Sequence, residues 1–418
     1  MKDRSVSGKT RRPNASTAGA LALCVALGFS AIDLTKAEAG ETIDLGDGRS
    51  FTIGAGLRTS FGSVSSFAPG GYGNGTTAQY NLDSFRIYTG ATLNEYIKAT
   101  FNTERSYGNG PIGVLDAYVQ FEPMNEVNVW VGQMLPPSDR ANLDGPYYLS
   151  EWYYPGVVSQ YPSRFYGRDL GGTVWGKLFD KKLVYSVGVF AGHNLATYNG
   201  VPGPGVDPTT FGFFGPSNQA HNPLFAGRVV YNFWDPEPDP AYYEASTYYG
   251  KVDVLSIGVA GMFQQDGVGT SFNSANYGAW NVDGLMEKKL GDYGVITLEG
   301  AYYNYNTGGI VDVPPNYNNA GLTANIGGVT QGNGYLASAA YLIPYTFGYG
   351  IVQGQFQPYA RYQHFDATVL ETWQSQIDFG VNYVIKPHDL VVTLDCALNS
   401  ASNTHSGTRV TLGLQVQL

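Results

Sequence analysis

Beyond residue 40, the chain repeats a unit of roughly ten residues in which apolar and polar side chains alternate. In residues 114–122, for example, every second side chain from Leu115 to Phe121 is apolar. A period of two is the pattern of a β-strand with one apolar face. We predict sixteen such strands, near residues 50–61, 83–93, 96–105, 114–122, 127–133, 169–179, 183–193, 224–234, 252–264, 277–289, 295–306, 335–342, 356–365, 374–385, 390–399 and 408–418.

The connections between these strands alternate between short and long. Short connections lie at residues 94–95, 123–126, 180–182, 291–294 and 386–389. The other side has long connections at 62–79, 135–168, 195–223 and 307–334, and shorter ones at 106–112 and 400–407. Two connections on the short side, 235–251 and 343–355, are longer than this pattern predicts. An even number of antiparallel strands with tight turns at one end is typical of a membrane-spanning β-barrel.

The composition excludes several other classes of protein. The 418 residues include 55 Gly and 32 Tyr, and only 14% are charged. Abundant aromatic residues argue against disorder. After the N-terminus, no apolar run approaches the ~18 residues of a spanning helix. The predicted fold class is therefore all-β, a transmembrane antiparallel β-barrel of sixteen strands.

The first residues have the pattern of a secretory signal. Basic residues precede a short apolar stretch at 18–32, and Ala37 and Ala39 supply small side chains two apart. We predict that residues 1–39 are a cleaved signal peptide and that 40–418 form the barrel. Because the leader is basic overall, the barrel is more acidic than the net charge of −10 of the whole chain, which argues against a nucleic-acid partner. Cys396 alone remains, so no intrachain disulfide is expected.

Several stretches between about residue 80 and residue 195 resemble, in their order and spacing, the phosphate-selective porin O and P family. The stretches are residues 83–90, 98–101, 116–119, 131–136, 168–172 and 185–192. The resemblance implies a bacterial outer-membrane porin, usually trimeric, with one loop folded inward as a constriction. No position matches the constriction lysines of that family, so phosphate selectivity is not predicted.

This resemblance sets the expected partners and location. We expect a water-filled channel for passive diffusion of small hydrophilic solutes and ions in the bacterial outer membrane. A homotrimer in contact with membrane lipid and lipopolysaccharide is expected, without a cofactor or metal. The five His residues are scattered without metal-ligand spacing. We therefore expect no enzyme activity.

Inward-facing charges are the residues that would select solutes. Alternation directs four basic side chains into the lumen from strands that become neighbours when the barrel closes. We predict that they form a basic wall that guides anions, because a narrow pore focuses the electric field. The wall consists of Arg58, Arg86, Lys98 and Arg409. The plainer alternative is four hydrated cations paired with nearby acids such as Asp116 and Glu122.

The long connection at 135–168 is the expected constriction loop. It carries acidic and basic residues near an aromatic run at 152–154. The charged residues are Asp139, Arg140, Asp144, Glu151, Arg164 and Arg168. Loop acids facing the basic wall would create a transverse field across the pore. The alternative is a loop that packs on its own aromatic residues outside the pore.

Two other functions stay open at this point. An occluded barrel could act as an outer-membrane enzyme. A secreted β-sandwich could act as a binding protein, although the even strand spacing and the apolar terminal strand argue against it.

Overall fold

The computed structural model describes residues 40–66, 75–105, 112–159, 167–192, 221–238, 241–270, 273–310, 331–402 and 404–418. The chain divides into two units, Met1–Ala37 and Glu38–Leu418, and the first lies outside the described residues. The leader at 1–39 therefore stays a prediction. Within the described ranges, no helix is long and apolar enough to cross a lipid bilayer.

Almost all regular structure in these ranges is β. The strands are β1 (Glu41–Gly46), β2 (Arg49–Ser66), β3 (Gly75–Thr92), β4 (Ile97–Arg105), β5 (Ile112–Phe121), β6 (Asn128–Met134), β7 (Asp169–Leu178), β8 (Leu183–Phe190), β9 (Leu224–Asn232), β10 (Val254–Thr270), β11 (Asn273–Lys289), β12 (Val295–Asn306), β13 (Gly332–Leu342), β14 (Thr346–Phe347), β15 (Gly354–Ala367), β16 (Thr372–Lys386), β17 (Leu390–Ala401) and β18 (Thr404–Gln417). One short helix, α1, spans Arg140–Asp144, and single 3-10 turns span Gly291–Tyr293 and Gly350–Val352.

Sixteen of these strands form a closed antiparallel ring. Each pairs with its sequence neighbours, and β18 pairs with β2, so the first and last strands of the barrel meet. The short strands β1 and β14 add hairpins on β2 and β15. The predicted sixteen-stranded barrel is thus confirmed, and the β-sandwich alternative is wrong. Closure is required in lipid because a sheet edge would leave backbone polar groups unpaired.

The seam between β18 and β2 ends near the C-terminus. The backbone amide of Leu418 donates to the carbonyl of Ala55 at 2.9 Å, and the amide of Ala55 donates back at 3.0 Å. Beyond this point β1 pairs with the same edge of β2, with Glu41 opposite Ile53 and Ile43 opposite Phe51. The ladder along β2 therefore continues past the end of the chain.

The two faces of the barrel follow the alternation in the sequence. Val119 on β5 is 54% exposed, and Leu412 on β18 is exposed as well. The inward neighbours Asp116 and Thr411 are buried. An apolar outer face with a polar inner face is the arrangement that lipid outside and polar contents inside demand.

Several strands are longer than predicted at the loop end of the barrel. β2 continues to Ser66 and β3 begins at Gly75, which shortens the connection predicted at 62–79. β10 and β11 likewise extend into a hairpin beyond residue 264. Paired strands can continue past the membrane because antiparallel hydrogen bonds need no lipid. Beyond the membrane the apolar face is not required, so the alternating pattern fades there.

The two long connections at the turn end fold onto opposite sides of the barrel wall. Residues 241–250 of the first connection fold into the lumen, where Tyr242, Ser246 and Thr247 are buried. Residues 343–353 instead fold onto the outer wall, where Tyr349 and Ile351 are exposed. These two arrangements explain why both connections are longer than the sequence pattern predicts.

Candidate pore constriction

The connection at 135–168, here called the inner loop, folds into the barrel as predicted. Its described part includes almost completely buried side chains such as Leu135, Val157 and Leu143 of the helix α1. Tyr305 Oη of β12 donates to the carbonyl oxygen of Val158 at 2.8 Å. These contacts fix the loop inside the lumen.

The inner loop also reaches the strands at the seam. Gln415 Nε2 of β18 donates to the carbonyl oxygen of Tyr147 at 3.0 Å. Tyr147 Oη donates to Ser84 Oγ of β3 at 2.9 Å. The loop thus crosses the lumen between distant parts of the ring.

The four residues of the predicted basic wall lie on consecutive strands, β18, β2, β3 and β4. Arg409 is paired in register with Val64 toward the loop end of β2. Lys98 is paired with Thr92 at the turn end of β3. Arg58 and Arg86 lie between these levels, so the four basic residues descend from the loop end to the turn end.

Two of these four cations are neutralised by wall carboxylates. Arg86 Nε lies 2.5 Å from Glu104 Oε2, and both side chains are buried. Lys98 Nζ lies 2.7 Å from Glu122 Oε2 in a more exposed part of the lumen. These ion pairs match the plainer alternative for half of the wall.

The other two cations lie under aromatic side chains of the inner loop. The guanidinium carbon of Arg58 is 4.0 Å from the ring centroid of Trp152, and Arg58 Nη2 donates to the Trp152 carbonyl oxygen. The guanidinium carbon of Arg409 is 3.4 Å from the ring centroid of Tyr153. Within the described residues, neither arginine is in an ion pair, and each keeps a buried Nε without a hydrogen-bond partner. Such cation–π contacts leave the net positive charge in place.

The loop acids do not face the basic wall. Glu151 pairs with Arg361 of β15, with 3.5 Å between Glu151 Oε2 and Arg361 Nη1. Arg168 Nε lies 2.9 Å from Asp116 Oδ1 of β5. Arg164 lies outside the described residues. The transverse field expected from the sequence is therefore replaced by aromatic contacts, a difference that the composition of the loop could not reveal.

Asp139 and Asp144 are buried in the inner loop. Asp139 Oδ2 accepts a hydrogen bond from Tyr303 Oη at 2.8 Å, and Asp144 Oδ2 accepts one from Ser246 Oγ at 2.5 Å. Burial raises the pKa of Asp139 from 3.8 to about 7. Burial likewise raises the pKa of Asp144 well above its usual value. Desolvation disfavours the charged carboxylate, so the folded loop favours the neutral acid.

This shift predicts a pH-dependent stability. Because the folded pKa of Asp139 lies above the unfolded one, its contribution is fully present below pH 3.8 and is lost as the pH rises through about 7. The wild-type protein should lose up to about 1.4 kcal/mol per pH unit from this group across that window. Asp139→Asn should remove this part of the loss, so the variant should exceed wild type in stability at pH 8. Urea unfolding in lipid vesicles at pH 5 and pH 8 measures the difference.

A matched control should show the opposite effect on the free energy of unfolding. The pKa of Asp253, just before β10, is lowered because Lys288 Nζ donates to it at 2.5 Å. Asp253→Asn should therefore cost stability at pH 8 rather than add it. Equal pH profiles for Asp139→Asn and wild type would contradict the assignment for Asp139.

A second element, here called the inner segment, enters the lumen from the turn end and comprises the described residues of the connection 235–251, which are 235–238 and 241–251. Tyr242 packs against Trp130 with 5.3 Å between ring centroids, and Tyr242 Oη donates to the carbonyl oxygen of Leu135 at 2.8 Å. The backbone amide of Ser246 donates to the carbonyl oxygen of Tyr148 at 3.1 Å. The inner loop and the inner segment therefore touch each other inside the barrel. Only the unusual length of 235–251 signalled this element in the sequence.

The two elements meet at a buried group of five charges, here called the five-charge cluster. Arg140 of the loop binds both carboxylate oxygens of Glu237, at 2.6 and 2.8 Å from its two terminal nitrogens. Arg228 of β9 lies 2.8 Å from Glu244 Oε2 and 2.6 Å from Asp283 Oδ1, measured from Nη2. Asp283 Oδ2 also accepts the backbone amide of Arg140 at 3.2 Å. The cluster thus joins the loop, the segment and two wall strands.

Apolar contacts fill much of the remaining lumen. A cluster of buried hydrophobic side chains joins the inner loop and the inner segment to inward positions of the strands from β5 to β15. Trp130, Tyr277 and Phe365 are among its largest members. This side of the barrel is packed like a protein core rather than open to water.

Water reaches the inner wall on β4 and at the turn end of β5, beside this packed region. The Lys98 side chain is 42% exposed, whereas the Arg361 and Asp378 side chains are almost completely buried. The half-buried polar residues beside Lys98 form what we call the wet strip, on β4, β5 and the following turn. It consists of Lys98, Thr100, Asn102, Gln120 and Glu122. The wet strip therefore keeps partial contact with solvent on the inner wall.

Among the described residues, no group of three or more His, Cys, Asp and Glu side chains is arranged so that it could hold a metal ion. Of the five His residues, His193 lies outside the described ranges.

Comparisons with known proteins agree with the architecture. No known family profile matches the sequence, and no curated protein matches it significantly. Solved structures do match. The anion-selective porin from Comamonas acidovorans aligns with a TM-score of 0.54 at 13% identity, over 88% of this chain and 100% of that chain. OmpF of Salmonella typhi in complex with daunomycin aligns with a TM-score of 0.54 at 9% identity, over 90% and 100%.

A third structure, outer-membrane expressed OmpT of Vibrio cholerae, aligns with a TM-score of 0.51 at 12% identity, over 90% of this chain and 100% of that chain. Identities this low establish the fold alone. The closed ring, the apolar outer face and the shared architecture lead to one conclusion. The chain is a sixteen-stranded transmembrane β-barrel with the fold of the bacterial outer-membrane porins.

Proposed function

We propose that the protein is a narrow channel for passive diffusion of small hydrophilic solutes and ions across the outer membrane, with a bias toward anions. The observation that carries the proposal is a closed barrel whose inner wall is polar and keeps half-buried side chains along the wet strip, although two elements fold into the lumen. A lumen of this kind offers water-soluble molecules a route that the lipid face denies them.

The anion bias rests on Arg58 and Arg409. Arg86 and Lys98 are paired with carboxylates, and these carboxylates partly cancel the attraction of both cations for an anion in the lumen. Arg58 under Trp152 and Arg409 under Tyr153 keep their positive charge near the inner loop. A cation in a confined space of low dielectric attracts anions at short range, whatever the net charge of the chain. The structural likeness to a porin named as anion-selective supports the same direction.

Further features of the proposal come from the sequence. The stretches that resemble the phosphate-selective porin O and P family support a porin, assembled as a homotrimer in contact with lipopolysaccharide. Residues 1–39 act as the cleaved export signal, and the division of the chain after Ala37 is compatible with that role.

Ion selectivity can be measured in planar bilayers under a KCl gradient. We expect an anion-selective reversal potential that moves toward the cation side in Arg58→Ala and in Arg409→Ala. Arg49→Ala is the control, because Arg49 is exposed at the turn end and pairs with Asp47 outside the lumen. A cation-selective reversal potential that neither lumen variant changes would contradict the anion bias.

An occluded barrel with enzyme activity is the second candidate, since the apolar cluster fills much of the lumen. Liposome swelling separates the two functions. A channel lets small sugars enter and the liposomes swell, whereas an occluded enzyme barrel leaves them intact. We expect swelling with the smallest sugars only.

A further inference from the structure

The connection between β13 and β15 forms a hairpin outside the barrel, here called the outer hairpin (residues 343–353). Tyr383 Oη of β16 donates to the carbonyl oxygens of Phe347 and Val352, at 2.8 and 2.7 Å. The Phe347 ring lies 5.1 Å from the Phe356 ring, centroid to centroid. Tyr383 and Phe356 alternate with buried inward residues of their strands. The outer hairpin is therefore attached to the outward face of the wall.

The outer hairpin exposes large apolar side chains at its tip. Tyr349 is 92% exposed, Ile351 is 76% exposed and Tyr345 is 70% exposed. Phe347 and Val352 add further exposed apolar surface beside them. Contiguous apolar surface of this kind marks contact with a membrane or another molecule rather than with water.

The charge pattern separates the outer hairpin from the other connections at the turn end. The sequence contains no charged residue between Asp312 and Arg361. The neighbouring tight turns carry charges, such as Glu95, Asp180 and Asp292. Charged side chains keep a turn hydrated, whereas an uncharged apolar turn is poorly hydrated and favours an apolar environment.

The backbone of the outer hairpin is shaped for this attachment. Gly348 has a φ of 85°, and a Cβ there would lie 2.5 Å from Tyr383 Oη and 2.8 Å from the Val352 carbonyl oxygen. Only glycine fits such a left-handed, closely packed position without strain. Replacing Gly348 should therefore detach the hairpin tip from the wall.

We propose that the outer hairpin inserts into the phospholipid leaflet at the turn end of the barrel and anchors the protein there. Its apolar surface is continuous with the lipid-facing side of the wall through Phe356 and Tyr341. Tyrosine suits this depth because its ring is apolar and its hydroxyl reaches the polar headgroups. The occupant of the apolar surface is thus lipid rather than a second copy of the chain.

Depth-dependent quenching tests this anchor. In a full chain with Cys24→Ala and Cys396→Ala, Tyr349→Cys is labelled with an environment-sensitive fluorophore and the barrel is reconstituted in phosphatidylcholine vesicles. Lipids brominated along the acyl chain should quench the label at least twofold more than at the control Glu95→Cys, an exposed position on another tight turn. Correct assembly of each variant is checked by heat-modifiable mobility on a denaturing gel.

The outcomes separate the possible occupants. Strong quenching at position 349 that falls in a chain also carrying Gly348→Ala supports lipid insertion by the hairpin as folded. Equal, weak quenching at positions 349 and 95 would overturn the proposal in favour of water. The proposal is overturned in favour of a second copy if lipid does not quench the label at 349 and if, in a separate unlabelled sample, the free thiols of Tyr349→Cys in two chains form a disulfide with an added oxidant. None of these outcomes depends on transport.

Discussion

Replacing both Glu237 and Glu244 by Gln should raise the single-channel conductance by roughly twofold or more, because the two elements that narrow the lumen lose their shared ion pairs. Arg140 and Arg228 are fully buried against these carboxylates. Arg140 would lose its carboxylate partners on the inner segment, which is costly for a buried arginine, whereas Arg228 keeps Asp283. The contact between the inner loop and the inner segment should therefore open and let the inner segment move toward the turn end. Planar-bilayer recordings of the double variant and wild type measure this effect.

The control removes the same number of negative charges but leaves the five-charge cluster intact. Glu41→Gln together with Glu95→Gln removes two carboxylates from exposed positions at the turn end. Conductance should then stay at the wild-type level. An assembled Glu237→Gln, Glu244→Gln barrel with unchanged conductance would show that the inner segment does not limit the flow of ions.

Lipid-facing charge should weaken the barrel strongly. Val119→Arg should destabilise the folded barrel by about 2–4 kcal/mol, because the guanidinium would lie in the hydrocarbon region. Gln120→Arg, one residue further along β5, is the matched control because Gln120 belongs to the wet strip, where an added charge stays hydrated. Unfolding in guanidinium chloride from lipid vesicles gives both free energies.

Leu412→Arg on β18 provides an independent position for the same test. It should cost a similar amount, since Leu412 is exposed on the outer face. If Val119→Arg and Gln120→Arg unfold at the same denaturant concentration, the outward assignment of β5 is wrong.

Most of the barrel was predictable from the sequence because one physical rule governs every strand. Lipid on one side and polar groups on the other impose a period of two, which identifies strands such as β5 and β18 and the face of most of their side chains. Leu115 on β5 is an exception, because the register between β4 and β5 shifts there and Leu115 is buried. Strand ends were less predictable. At Ser66 and Gly75, paired backbone continues where the membrane no longer imposes the apolar face.

The contents of the lumen were only partly predictable. Alternation identified Arg58 and Arg409 as inward residues, but not the rings of Trp152 and Tyr153 that cover them. Those contacts join residues far apart in the sequence and depend on how the inner loop crosses the lumen. The partnership of Arg140 with Glu237 was hidden for the same reason.

The short strand β1 has a consequence for association between chains. β18 stops at the level of Gly56, so the first residues of β2, Arg49 to Ile53, would otherwise present unpaired amides and carbonyls. Such an exposed edge is a template for pairing with strands of other chains, and β1 satisfies it from within the same chain. The N-terminal hairpin thus protects this part of the edge of β2 from pairing with strands of other chains.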